Sequence, residues 1–280
     1  MFEKKYFKYA VVLAAILTLA CTSALAQRER GADRENREDR GLSCNDNWNS
    51  DRGSYCVIKE QMIRATGGTV VVDGSKNGGV SVKGWDRNEI YIRAKIQTWA
   101  NTDAEAQALS GHVRINASGA NIHAEGPEQG NRQGWAVSFE VSVPYNSNLS
   151  LKAHNGGIGI SDVRGQIEFN ALNGGVSLRR LAGNVKGQTM NGGLSVELAG
   201  AGWEGEGMDV RTTNGGVSLS IPDNYSARLE TGTVNGGLKT DFPITVQGEV
   251  KRELSLDLGS GGQRIRAFTT NGGVAIKRKS

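Results

Sequence analysis

Proline is scarce in this chain, with four residues among 280. That scarcity excludes a proline-rich extended chain, and the missing Gly-X-Y period excludes a collagen-type helix despite 39 glycines. Aromatic residues make up only 6% of the sequence, so the core must be built mainly from Val, Leu and Ile. The five tryptophans, Trp48, Trp85, Trp99, Trp135 and Trp203, are spread out and are expected to plug its ends or edges. Histidine is rarer still: His112, His123 and His154 are the only three, and none has a partner at metal-ligand spacing. Gly-x-Ser-x-Gly, His-Glu-x-x-His and phosphate-loop patterns are missing. No catalytic motif remains, so the expectation is a protein that is not an enzyme and uses no cofactor or metal. After residue 20 no apolar run is long enough to cross a bilayer as a helix.

The first residues read as a secretory signal. Lys4, Lys5 and Lys8 form a basic start, residues 10–20 an apolar stretch, and Ala24-Leu25-Ala26 a small-residue cleavage site ahead of Gln27. Cleavage before Cys21, giving a lipid-anchored protein, is the alternative, but Thr18 stands where such a site favours leucine. Losing residues 1–26 removes three lysines and one glutamate, which lowers the formal charge from +4 to +2. So balanced a chain gives no reason to expect nucleic-acid binding. Cys44 and Cys56 remain, and in an exported chain such a pair is expected to form a disulfide. Residues 27–43 hold five arginines, five acids and one sizeable apolar side chain, which predicts a disordered charged tether. The expected localisation is extracytoplasmic, the periplasm rather than the medium.

What the sequence does contain is one tripeptide, repeated. Asn-Gly-Gly begins at Asn77, Asn155, Asn173, Asn191, Asn214, Asn235 and Asn271. From the second copy the starts step by 18, 18, 23, 21 and 36 residues, the last step leaving room for one degenerate copy. Alternating runs such as Val80-Ser81-Val82 and Val176-Ser177-Leu178 follow most copies. Asn-Gly favours positive φ and so predicts a tight turn, and the second glycine predicts close approach of stacked backbones. Each 18-residue unit then carries two short strands and a second turn, as at Val163-Arg164-Gly165 and Leu181-Ala182-Gly183. A unit this small cannot bury its apolar face alone, so neighbours must stack. The expected fold is all-β, a flattened β-solenoid (β-helix-like) with Asn-Gly-Gly turns; a meander of hairpins is the alternative.

Four parts are expected: a signal peptide at 1–26, the tether at 27–43, an N-terminal β part at 44–145, and a repeat part at 146–280 continuous with it. The N-terminal part alternates through 55–58, 69–72, 80–85 and 90–96, then yields one short helix near residues 102–111. Asn101 or Thr102 caps that helix, Asp103 and Glu105 occupy its first turn, and Gly111 stops it; it is expected to lie as a lid on the sheet or its open end. Strands at 113–116, 121–124 and 135–143 follow, the last ended by Pro144.

Few residues suggest chemistry. Stacked asparagines could present amides to a flat ligand such as a glycan, although Asn at a turn ordinarily satisfies local backbone. Glu204, Glu206 and Asp209 beside Trp203 could form a glycosidase-type acid pair with a sugar-stacking ring, against an ordinary solvated acidic loop. Gly156-Gly157-Ile158-Gly159-Ile160 starts a calcium-roll motif, but Ser161 stands in place of the acid. The basic end, Lys277-Arg278-Lys279-Ser280, is expected to keep a terminal strand soluble and unpaired.

The recurrent Asn-Gly-Gly, the run Asn77 to Trp85, the helix about Ala104 to Leu109, the strand Trp135 to Pro144 and Gly261-Gly262 ahead of Thr269-Thr270-Asn271 together resemble the bacterial putative-adhesin family of β-strand-repeat proteins. The resemblance covers roughly residues 55–280 and implies an all-β repeat fold in an extracytoplasmic protein. It carries no catalytic or binding residues. The expected role is an envelope or surface binding scaffold, adhesin-like, with a glycan or envelope protein as partner. A carbohydrate-active β-helix enzyme is one alternative; a surface-layer protein that self-associates through strand edges is another.

Overall fold

The computed structural model describes residues 41–45, 52–242 and 252–279. The signal segment with Cys21, Ala26 and Gln27, most of the tether, Trp48 and Ser280 lie outside the described residues. The chain divides into Met1–Ser43 and Cys44–Ser280, and every element below belongs to the second unit.

Its N-terminal part runs β1 (Gly53–Arg64), β2 (Val70–Asp73), β3 (Val80–Trp85), β4 (Glu89–Ala100), helix α1 (Asp103–His112), β5 (Arg114–Asn116), β6 (Asn121–Glu125) and β7 (Gly134–Pro144). Then come β8 (Leu149–Ala153), β9 (Ile158–Ser161), β10 (Arg164–Asn173), β11 (Val176–Arg179), β12 (Ala182–Asn191), β13 (Leu194–Glu197) and β14 (Gly207–Asn214). The chain ends with β15 (Val217–Pro222), β16 (Ala227–Asn235), β17 (Leu238–Thr240), β18 (Glu253–Leu258), β19 (Arg264–Asn271) and β20 (Val274–Lys279).

These strands form two sheets, ordered β1-β4-β7-β3-β9-β11-β13-β15-β20-β17 and β18-β16-β19-β14-β12-β10-β8-β2-β6-β5. Through the repeats each coil gives one strand to each sheet, and equivalent strands pair in parallel with identical register. Val176 sits between Ile158 and Leu194, and Ile167 between Leu149 and Val185. The hairpin meander is therefore excluded for this part, because hairpins would pair antiparallel. Antiparallel strands occur at the ends instead: β1-β4-β7 at one, β18 on β16 at the other.

Alternation explains the core. In-facing rows stack from coil to coil, as Val80–Ile158–Val176–Leu194–Val217–Val274 in the first sheet, all nearly fully buried. Each such side chain contributes roughly 1.5–3 kcal/mol on burial. Where one coil carries a large side chain the next compensates: a Cβ on Gly187 would lie 2.5 Å from the Phe169 ring. The tryptophans cluster away from these rows. Trp99 and Trp135 lie on the antiparallel end strands β4 and β7, and Trp85 ends the parallel strand β3 beside them, with Trp135 Nε1 donating to the Pro127 carbonyl at 2.9 Å.

Helix α1 packs on β1 and β4. Thr102 is its N-cap, its Oγ1 accepting from Glu105 N at 3.2 Å, while Glu105 Oε2 accepts from Asn101 N at 3.2 Å. This reciprocal arrangement satisfies two otherwise orphan donors. Gly111 does not stop the helix, which continues to His112 and closes with the Val113 amide on the Ser110 carbonyl. Cys44 and Cys56 are disulfide-bonded with Cα atoms 5.7 Å apart, which fastens the start of the unit to β1.

Two expectations fail in the last third. Among the described residues of the 36-residue step no degenerate repeat is seen: β18 lies there and pairs antiparallel on β16. The final coil, β19 and β20, inserts between the coil ending at Asn214 and the one ending at Asn235. Hence Lys277-Arg278-Lys279 does not keep a terminal strand unpaired. β20 is flanked by β15 and β17, Lys279 Nζ pairs with Glu197, and Arg278 lies over the Phe242 ring.

Candidate functional site

Each long strand of the second sheet ends on the asparagine of an Asn-Gly-Gly, and the two glycines carry the chain across to the first sheet. The expected positive φ is not used. None of the seven asparagines has one, and among their glycines only Gly272 does, at 157°. Left-handed conformations sit at the opposite corner, at Asp162 (59°) and Arg180 (50°). That corner precedes the positions expected from sequence, since Arg164-Gly165 and Ala182-Gly183 already open β10 and β12.

Glycine is required for another reason. A Cβ on Gly174 would lie 2.1 Å from the Gly156 carbonyl oxygen, and one on Gly192 would lie 2.1 Å from that of Gly174. The first glycine of each triplet is thus the strict one. Its successor is looser: a Cβ on Gly175 would sit 3.4 Å from the Gly193 oxygen.

The asparagine side chains bond one another rather than local backbone. Asn155 Nδ2 donates to Asn77 Oδ1 at 3.0 Å, Asn173 to Asn155 at 2.9 Å and Asn191 to Asn173 at 2.8 Å. Asn214 donates to Asn191, Asn271 to Asn214 and Asn235 to Asn271, each at 2.8 Å. All seven form one column, closed at its first member by Asn77 Nδ2 on Gln129 Oε1 at 3.3 Å. The spatial order 214–271–235 follows the inserted coil.

A second column was not anticipated. Thr189, Thr212, Thr269 and Thr233, all buried, donate from Oγ1 to the carbonyls of Gly174, Gly192, Gly215 and Gly272 at 2.7–2.8 Å. Each hydroxyl ties its strand to the first glycine of the adjacent coil. The signal was present as Thr-x-Asn-Gly-Gly in four copies, with alanine replacing threonine before Asn155 and Asn173.

The acidic cluster is dispersed. Trp203 is 8% exposed, with Nε1 donating to the Gly183 carbonyl at 2.9 Å, so its ring offers no face to a ligand. Glu204 pairs with Arg164, Glu206 accepts from Asn184 Nδ2 at 2.6 Å, and Asp209 pairs with Arg266 at 3.3 Å. The excursion carrying them packs near Tyr225, whose hydroxyl is pushed up to about 12 by burial and secondarily by the Glu204 charge. His112 Nδ1 lies 3.0 Å from the Ala108 carbonyl and His123 Nε2 3.1 Å from Glu125. Among the described residues no group of three or more His, Cys, Asp or Glu could hold a metal ion. No described helix is long and apolar enough to cross a membrane.

Two parallel-stacked sheets bound by side-chain columns define an all-β repeat protein. Residues 54–277 match the family described as Toastrack DUF4097, and the chain belongs to that family. No curated protein matches it. Among solved structures it is similar to a "putative cell adhesion protein" from Clostridium sporogenes, at 10% identity over 80% of this chain and 100% of that one, with a TM-score of 0.40. A "putative adhesin" from Bacteroides fragilis is 10% identical over 80% and 97%, with a TM-score of 0.38. A "putative lipid binding protein" from Parabacteroides distasonis is 12% identical over 80% and 97%, with a TM-score of 0.31.

Proposed function

We propose that this protein is an exported, non-enzymatic binding scaffold of the cell envelope, adhesin-like, whose repeats stack as a flattened β-solenoid. The observation that supports this is the seven-member asparagine column. It joins every Asn-Gly-Gly repeat into one ruled, self-satisfied surface, the property of a scaffold rather than a reactive centre. Residues 1–26 act as the signal, cleaved between Ala26 and Gln27, and residues 27–43 as a tether. The N-terminal β part (44–145) and the repeat part (146–280) work as one body. The Cys44–Cys56 disulfide suits an oxidising compartment, the periplasm, and the partner is a glycan or an envelope protein.

The test is expression with the native leader in a bacterial host, followed by fractionation, N-terminal sequencing and binding to arrayed glycans and envelope extracts. The expected result is a mature chain starting at Gln27 in the periplasmic fraction, with saturable binding to one partner. Retention in the cytoplasm with the leader intact, and no saturable partner, would sink the proposal.

A further inference from the structure

Most outward charges on the repeat coils are paired with their neighbours, as Arg180 with Asp162 and Arg266 with Asp209. Others on the second sheet have no such partner among the described residues, as Glu168, Lys186 and Arg211, and next to these lies an unpaired stretch that is also hollowed out. A groove of about 710 Å³ crosses the ends of β8, β10, β12 and β14 beside the asparagine column, and Lys76, Lys152, Asn170 and Gln188 line it. None of these four side chains has an ion pair or hydrogen bond among the described residues. Lys152, Asn170 and Gln188 form one row in register on three adjacent strands. Two residues further along those strands come His154, Leu172 and Met190, and Met190 is 50% exposed. Asp73 is the single carboxylate of the lining, and its Oδ1 is occupied by the Ser75 amide at 2.8 Å.

We propose that this groove binds a chain of acidic sugars, which deepens the binding-scaffold reading and rests on it. Lys76 and Lys152 meet the carboxylates, the Asn170 and Gln188 amides meet hydroxyls, and Leu172 and Met190 lie under the apolar faces of the rings. Adjacent strands are spaced about 4.8 Å apart, so the groove offers one side-chain rung for each stretch comparable to a pyranose unit. A peptide added as a strand does not fit. The groove runs across the strands, whose backbone groups are consumed by the parallel ladders, leaving no edge to extend. Single-stranded nucleic acid fits no better, because no Phe, Tyr or Trp lines the groove to stack on bases.

The experiment titrates the full chain with polygalacturonate and with the same polymer after carboxyl reduction. Variants are Lys76→Glu/Lys152→Glu and, as a charge-matched control on the other sheet, Lys239→Glu/Lys277→Glu; thermal melts verify folding. The expected result is wild-type binding that weakens with salt and falls at least about tenfold on carboxyl reduction and in the double variant, while the control stays within about twofold. Equal binding by the double variant, or equal binding of the reduced polymer, overturns the inference. Wild type that ignores polygalacturonate but holds a neutral glycan or an envelope protein overturns it and leaves the scaffold reading standing. Wild type that binds no glycan and no envelope protein overturns both.

Discussion

Arg180 holds Asp162 in the adjacent coil through two parallel bonds, Nε to Oδ1 at 2.6 Å and Nη2 to Oδ2 at 2.7 Å. Both residues sit at left-handed φ, 50° and 59°, where a non-glycine backbone is uncomfortable, so the pair secures the corner that the chain must turn in each coil. Hydrogen bonding from Arg180 holds the Asp162 carboxyl below its ordinary 3.8. A carboxyl whose folded pKa is depressed contributes stability above its unfolded value and loses it as pH falls through the folded one. Asp162→Asn tolerates the same backbone but removes the charge. With Arg180 40% exposed, we expect a loss of only about 0.5–1 kcal/mol at pH 7. The gap between wild type and variant should close as pH falls below about 3.8, measured by urea melts at each pH.

The glycine pair offers a sharper contrast. Gly174→Ala drives a Cβ to within 2.1 Å of a backbone oxygen that cannot move without shifting a whole coil. Gly175→Ala meets its nearest neighbour at 3.4 Å. We expect the first to cost at least about 3 kcal/mol or to prevent folding, and the second to stay within about 1 kcal/mol. Chemical denaturation of the two variants checks it; equal cost would show that the stacking explanation is wrong.

Much of this architecture is legible in the sequence. Strands, the capped helix and the stacking of units follow from alternation, from Thr102 with Asp103 and Glu105, and from the spacing of Asn-Gly-Gly. Local turn chemistry misled on conformation, because Asn-Gly has two uses: it closes hairpins through positive φ, and it lets stacked backbones touch through the missing Cβ. Only the neighbour in the next coil decides between them. Trp203 was legible in part: its expected place in the core holds, and the ring turns inward while Glu204 and Glu206 beside it stay at the surface. The inserted final coil leaves no local trace, because spatial order among near-identical strands is not written in any one of them. Lys152, Asn170 and Gln188 share a row only once the 18-residue register is applied.

The threonine column is the least conspicuous part of the coil-to-coil bonding. Thr212→Val keeps shape and volume but leaves the Gly192 carbonyl without the hydroxyl that reaches it at 2.7 Å. A buried acceptor stripped of its partner costs about 1–3 kcal/mol, so the isosteric change should destabilise by that amount, and Thr212→Ser should restore most of it. A thermal or urea melt of the valine variant at the wild-type midpoint would refute a bonding role.

The disulfide closes a short loop, Cys44 and Cys56 being 12 positions apart in sequence. Chain-entropy estimates give about 3 kcal/mol for a loop near this size. We expect Cys44→Ser/Cys56→Ser to lose about 2–3 kcal/mol, and the wild-type chain from Gln27 onward, which lacks Cys21, to show no free thiol until it is reduced. Thiol titration of the native and unfolded protein, beside urea melts of both forms, makes the measurement; two reactive thiols in native wild type would contradict it.

The interleaved final coil makes the last prediction. In a simple stack the C-terminal repeat is an outer layer, and removing it costs one interface. Here β19 separates β14 from β16, and β20 separates β15 from β17, so its removal opens a gap with parallel partners lost on both sides. The asparagine column breaks with it, since Asn235 donates only to Asn271 and Asn271 to Asn214. A chain ending at residue 262 should therefore lose the coil of β16 and β17 as well as its own missing residues. Limited proteolysis should cut within β16, β17 and β18 in the truncated chain while sparing those strands in the full one. Hydrogen exchange should show the same boundary, with protection preserved through the strand that ends at Asn191 and lost beyond Pro222. Protection of β16 in the truncated protein would mean that the earlier coils can close the gap and pair directly.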